Sequence, residues 1–197
     1  MSKVILIGNG PSALESELGD VIDSDEFDAV IRINRGHKFD DGTSSISNYK
    51  KFIGSRCDYW IASDLRVEIA MQRHDQYQGI FIVTPKFKFN SNLVNSVTSR
   101  FENIYFIPPE YEDHINSIVN FSPKWPSTGV VGIHFAINHF NEVYIHGFDT
   151  YDPKYESVHF FEKRKNIYND PSRKDHEPSK ERTYLSKMIE QGKVKRI

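Results

Sequence analysis

The sequence lacks most of the features that assign a protein at a glance. It holds one cysteine, Cys57, so no disulfide can form within the chain. A reducing compartment is compatible with that. No apolar run reaches the roughly 18 residues of a membrane-spanning helix, and no signal peptide precedes the strand-like run that begins at Lys3. A basic surplus is missing too. Lys and Arg number 25 against 27 Asp and Glu, a formal charge of −2, which argues against a nucleic-acid partner. The runs Lys163-Arg164-Lys165 and Arg173-Lys174 read as solvated loop. There is no internal repeat, no low-complexity tract and no H-E-x-x-H, and Cys57 is remote from the His/Glu pairs, so no zinc set emerges. What is present is 197 residues, enough for a substantial core, and we expect one domain over 1–197.

Apolar, β-branched runs recur along that length: Lys3–Gly8, Asp28–Asn34, Asp58–Ser63, Gly79–Thr84, Asn103–Pro108 and Glu142–Gly147. Such runs suit strands buried on both faces of a parallel sheet. Helical patterns fall between and after them, near Ser12–Gly19, Leu65–Arg73, Asn92–Phe101, Gly129–Phe140 and Ser179–Gln191. The alternation predicts an α/β protein, a Rossmann-like α/β/α sandwich on a mostly parallel sheet. Tyr151–Lys174 has little periodicity and reads as a long loop.

The junction PSTGVVGIHFAINHF, Pro126–Phe140, brings small and hydroxylated residues straight into an apolar segment. Ser127 or Thr128 can cap a helix there, with Val130, Ile133, Ile137 and Phe140 on one face and His134, Asn138 and Asn141 on another. The same N–H groups and hydroxyls can equally bind an anion. GNGPS, Gly8–Ser12, follows the first strand and faces the rim where ligands of open α/β sheets bind. It fits G-x-G-x-x-A, but the second strand ends Arg32-Ile33-Asn34 without the acid that an NAD ribose needs. Arg32 keeps an NADP reading open through a 2′-phosphate. Asn34 ends the second strand on the same rim. Asp23-Ser24-Asp25 precedes that strand, at the opposite rim, and suits turn and helix capping better than metal. Three further strings hold titratable groups: HGFD at His146–Asp149, HFFE at His159–Glu162, and HEPSKE at His176–Glu181, with Asp175 a candidate cap.

In order and spacing these strings resemble the sialylmotifs of the eukaryotic-type sialyltransferases, glycosyltransferase family 29. GNGPSAL…LGDVIDS…VIRINR is similar to the large motif and PSTGVVGIHFAINHFNEVYIHGFD to the small one. HFFE is similar to the third motif, and His176 with Glu181 fits H-x4-E, the very small motif. The resemblance runs from Val4 to the C-terminus and is poor between Lys38 and Lys124.

That resemblance implies a single-domain, GT-A-like variant glycosyltransferase, an inverting enzyme that moves sialic acid from CMP-sialic acid to a glycan hydroxyl without metal or other cofactor. By position, Asn9 and Asn34 would hold ribose and phosphate, and Ser127, Thr128 and Gly129 the donor's carboxylate and nearby nucleotide atoms. Gly147 and Phe148 would shape the nucleotide pocket. His159 would stabilise the departing phosphate and His176 would act as general base. Trp125 stands where some members have an acceptor-side Tyr. Val4 and Phe140 stand where members usually carry a disulfide, and we expect those two side chains to pack together. With the family's N-terminal anchor also missing, a cytoplasmic enzyme of bacterial or viral type is expected. Rival readings are transfer of another CMP-activated ulosonic acid such as Kdo, a non-catalytic nucleotide- or glycan-binding protein, and the NADP-binding protein.

Overall fold

The computed structural model describes residues 2–37, 46–150, 152, 154–155, 157, 159–161 and 176–197. Six strands arise from the six apolar runs: β1 (Lys3–Ile7), β2 (Ala29–Ile33), β3 (Tyr59–Ser63), β4 (Gly79–Val83), β5 (Ile104–Phe106) and β6 (Glu142–His146). A seventh, β7 (Lys195–Arg196), is too short to read from the sequence. They form one sheet in the order β5-β4-β3-β2-β1-β6-β7, parallel throughout.

Side-chain alternation distributes the central strands between two faces. Val4 and Leu6 join a cluster with Val130, Ile133, Ala136, Tyr184 and Leu185, while Ile5 and Ile7 join Ala13, Ile22 and Ile53. Both faces of β1 are therefore dry, which is why its sequence is an unbroken apolar run. Helices α5 (Glu110–Ile118), α6 (Thr128–His139) and α7 (Pro178–Glu190) cover the first face. The second is covered by α1 (Gly19–Asp23), α2 (Lys50–Ile53), α3 (Val67–Gln72) and α4 (Ser91–Thr98), with Trp60, Ala62, Ile80 and Ile82 against the last two. The result is the expected α/β/α sandwich.

Several details differ from the sequence reading. No helix fills Ser12–Gly19: a tight 3-10 turn, Pro11–Leu14, precedes α1. Glu15, Ser16 and Glu17 are exposed and offer no apolar stripe to hold a longer helix. Helix α5 was not expected. It buries only Ile115, but Glu110, Glu112 and Asp113 favour its first turn through the helix dipole. His134 is not on a solvated face. It is buried, its Nδ1 lies 2.7 Å from the Tyr184 hydroxyl, and burial together with His114 and Lys193 lowers its pKa to about 4.

Arg32 does not reach the rim. Its fully buried guanidinium donates from Nε to the Arg56 carbonyl at 2.9 Å and from Nη2 to the Ile53 carbonyl at 2.7 Å. The 2′-phosphate contact behind the NADP reading is thereby withdrawn. Asp23 caps a turn: it accepts from Ser55 N, Ser55 Oγ and Arg56 N at 2.6, 2.7 and 2.7 Å. Val4 is fully buried, and half-buried Phe140 packs on the same cluster. The long-loop region, Glu162 of HFFE, Asp175 and both basic runs fall mostly or wholly outside the described residues.

Candidate active site

Strand order reverses its winding at β1, which lies between β2 and β6. A crevice opens there at the carboxyl ends of the strands, the place where open α/β sheets bind ligands. Backbone bonds knit its floor: Gly8 N donates to the His146 carbonyl and Gly10 N to the Gly147 carbonyl, both at 2.8 Å. A Cβ on Gly8 would collide with the Gly147 carbonyl. Gly147 itself has φ 72°, a left-handed conformation that glycine adopts without steric cost. The chains beyond the two strands thus run close enough for one ligand to touch both.

The expected donor residues line this crevice together. Asn9, Asn34, Ser127, Thr128, Gly129, Gly147, Phe148, His159 and His176 share one cleft of about 230 Å³. A wider cleft of about 520 Å³ adjoins it through Asn9, Asn34, Thr128, His159 and His176, and contains Trp125. Both histidines therefore stand at the seam between the two spaces.

The two asparagines, alike in sequence, are used differently. Asn9 Nδ2 donates to the Ile33 carbonyl at 3.0 Å, which fixes the amide orientation; its Oδ1 is buried without a hydrogen-bond partner among the described residues. Such an atom wants a donor. Asn34 sits at φ 48° and accepts from Ser63 N through Oδ1 at 2.9 Å. Only its amide N–H groups can face an anion.

Ser127 is the N-cap of α6, accepting from Val130 N at 3.4 Å. Its own hydroxyl donates to Glu181 Oε2 at 3.0 Å, and its N–H points to Glu181 Oε1 at 3.3 Å. Glu181, one turn into α7, is 3 % exposed. Burial pushes its pKa up to about 7, against the opposing Ser127 hydrogen bonds and Arg182. Its role, open in the sequence, is to clamp the α6 start to α7. Phe148 packs on Gly129, where a Cβ would meet the ring at 3.3 Å. Asp149, assigned no role from the sequence, accepts from Ser12 N at 2.9 Å and secures the turn after β1.

His176 Nδ1 lies 3.3 Å from the Trp125 carbonyl. A carbonyl only accepts, so Nδ1 carries the proton, and in the neutral ring Nε2 becomes the basic nitrogen. Lys124 Nζ holds the His176 carbonyl at 2.9 Å, and the Trp125 ring meets the imidazole edge-on at 6.2 Å. His159 stacks on Phe161 at 5.2 Å, and the neighbouring Phe160 N–H binds the Asn9 carbonyl at 2.9 Å. The third-motif string is thereby tied to the turn after β1. Among the described residues, no group of three or more His, Cys, Asp or Glu is placed to hold a metal ion.

Comparison with curated protein sequences returns no match. Among solved structures, a mammalian sialyltransferase in complex with Gal-beta-1-3GalNAc-ortho-nitrophenol superposes with a TM-score of 0.66 at 16% identity, covering 100% of this chain and 69% of that one. At such identity the likeness shows the fold. The model of glycosyltransferase family 29 (sialyltransferase) matches residues 82–193, from β4 to the end of the last helix and its turn. That span holds the small, third and very small motif strings and leaves the large-motif string, Gly8–Arg35, outside, although the fold brings Gly8, Asn9, Gly10, Ile33 and Asn34 to the same cleft. With more than half of its length matched, this chain belongs to glycosyltransferase family 29, the sialyltransferases.

Proposed function

We propose that this glycosyltransferase takes sialic acid from CMP-sialic acid, inverts it, and delivers it to a glycan hydroxyl with His176 as base and no metal. The observation that carries this reading is the His176–Trp125 contact. It sets the imidazole tautomer with Nε2 as acceptor at the seam between a narrow, backbone-lined cleft and a wide, side-chain-lined one.

The narrow cleft suits the donor. N–H groups at the start of α6 favour an anion, here the sugar carboxylate. The orphan Asn9 Oδ1 suits a ribose hydroxyl and not a phosphate, since it can only accept. Phosphate contacts fall to N–H groups such as those of Asn34 and to His159 as imidazolium. CMP leaves as a single phosphate, and hydrogen-bond donors with one cation can stabilise that charge. The acceptor hydroxyl, entering from the wide cleft, attacks the anomeric carbon from the face opposite CMP. It passes its proton to Nε2 late in an oxocarbenium-like transition state.

The test is a titration with CMP, UDP and NADP, followed by transfer from CMP-sialic acid and CMP-Kdo to a galactoside in EDTA. CMP binding and EDTA-resistant sialyl transfer are expected. Activity abolished by EDTA and restored by manganese sinks the metal-free step. Preference for CMP-Kdo replaces the donor.

A further inference from the structure

The wide cleft contains a charge arrangement that transfer to a neutral sugar does not require. β2 and β3 are parallel neighbours, so the turns after them emerge on one rim. The first carries Arg35 and the second, Asp64–Arg66, ends in Arg66; both arginines line the wide cleft. Arg66 is half-buried, and its Nε is shut away without a hydrogen-bond partner among the described residues. Burial, and then the nearby Arg35 charge, hold its pKa below the usual arginine value.

Two carboxylates line the same cleft, each with one oxygen turned to a backbone N–H: Asp64 Oδ1 accepts from Leu65 N at 3.0 Å and Glu112 Oε2 from Lys86 N at 2.9 Å. Among the described residues, neither arginine has an ion-pair partner, whereas Arg56, Lys86 and Lys195 each sit within 2.8 Å of a carboxylate. Lys88 adds a third cation to the lining. Two guanidiniums that face one cleft with no ion-pair partner among the described residues repel each other, and an oxyanion between them reverses the sign of that interaction. Trp125 and Tyr111 also line the cleft and offer apolar ring surface to a sugar.

We propose that the preferred acceptor carries its own oxyanion, a sugar carboxylate or a phosphate or sulfate ester, held by Arg35 and Arg66 while the accepting hydroxyl faces His176. This rests on the donor reading above and narrows the acceptor class. The oxyanion is recognised through guanidinium hydrogen bonds, so it contributes to binding and orientation and takes no part in bond making.

The experiment compares a neutral galactoside with the same galactoside bearing a sialic acid, a phosphate ester or a sulfate ester. kcat/KM is measured with CMP-sialic acid at low salt. At least one anionic acceptor is expected to exceed the neutral one by about tenfold or more, the scale of a charge-assisted hydrogen bond. Arg66→Gln and Arg35→Gln should each pull that ratio down several-fold, with melting temperature as the folding control. Whether carboxylate or ester wins identifies the source of the charge. Binding of the same sugars, followed by saturation-transfer NMR on wild type and Arg66→Gln, gives a readout independent of the donor. If CMP-sialic acid is not used but anionic sugars bind through Arg66, the donor reading fails and the site stands. If transfer proceeds and the neutral galactoside is preferred, or the ratio is unchanged in both variants, the proposal is overturned with the donor reading intact.

Discussion

The two clefts that meet at His159 and His176 are built from different materials. The narrow cleft, the proposed donor side, is made of glycines, backbone N–H groups, a capped helix start and two amides. The wide cleft, the proposed acceptor side, is made of long or bulky side chains, most of them on turns: Arg35, Arg66, Lys88, Tyr111 and Trp125. Backbone geometry cannot vary without moving the sheet, so it suits a ligand that is always the same. Side chains on turns can be exchanged with little cost to the fold, so they suit the partner that defines a particular enzyme.

The strongest way to break this division is at the seam. His176→Ala is expected to lower kcat by about 10²–10⁴, the usual contribution of a positioned base, while CMP affinity measured by calorimetry changes little. Near-normal turnover on a true acceptor would remove His176 from the chemistry. Next comes Glu181, the buried clamp. Its folded pKa, about 7, lies above the ordinary 4.5. The folded state therefore favours the protonated form; that contribution is fully present below pH 4.5 and is lost as pH rises through 7. Glu181→Gln removes the titration, so its stability relative to wild type should improve by up to about 3 kcal/mol between pH 4.5 and 8, read from melting curves at both ends. A constant difference between variant and wild type across that range would show that Glu181 does not titrate there. The same substitution bears on turnover: an acid limb that survives in Glu181→Gln belongs to a group other than Glu181.

The smallest expected effect separates the two asparagines. Asn9→Ala should weaken CMP binding by about 1 kcal/mol, roughly fivefold, and weaken 2′,3′-dideoxy-CMP less, because the lost partner is a ribose hydroxyl. Asn34→Ala should weaken both equally. Identical losses for both ligands in both variants would erase the distinction drawn from Asn9 Oδ1.

The architecture was legible because parallel strands covered on both faces leave unbroken apolar runs, as at Val4–Ile7. The narrow cleft was legible for a related reason. Close backbone approach demands glycine at positions 8 and 147, and a helix start invites Ser127, so the geometry writes itself into residue type. What was missed has a weaker signature or none. Helix α5 fully buries only Ile115, but Tyr111, Ile115 and Ile118 stand at helical spacing and pack on the core, a short stripe that the sequence reading passed over. Arg32 looked like a rim cation because sequence gives a strand position but not which way a guanidinium turns; here it bonds carbonyls beneath the strand end. The Glu181–Ser127 clamp joins residues 54 apart, and Arg35 and Arg66 line one cleft only because two turns share a rim.

The glycine-knit floor of the narrow cleft has a consequence for how the protein comes into being. It joins β1 to β6, and at the opposite, amino end of that strand pair the Ser2 N–H donates to Asn141 Oδ1 across 139 residues. Contacts so distant in sequence form late, because a long loop must close before they reward the chain. During synthesis β1 through β5 are available to assemble long before β6 emerges. A ribosome stalled before residue 142 thus carries a chain with five of its seven strands and only part of the cleft, and the rest arrives with β6, Glu142–His146, and with Gly147, His159 and His176 behind it.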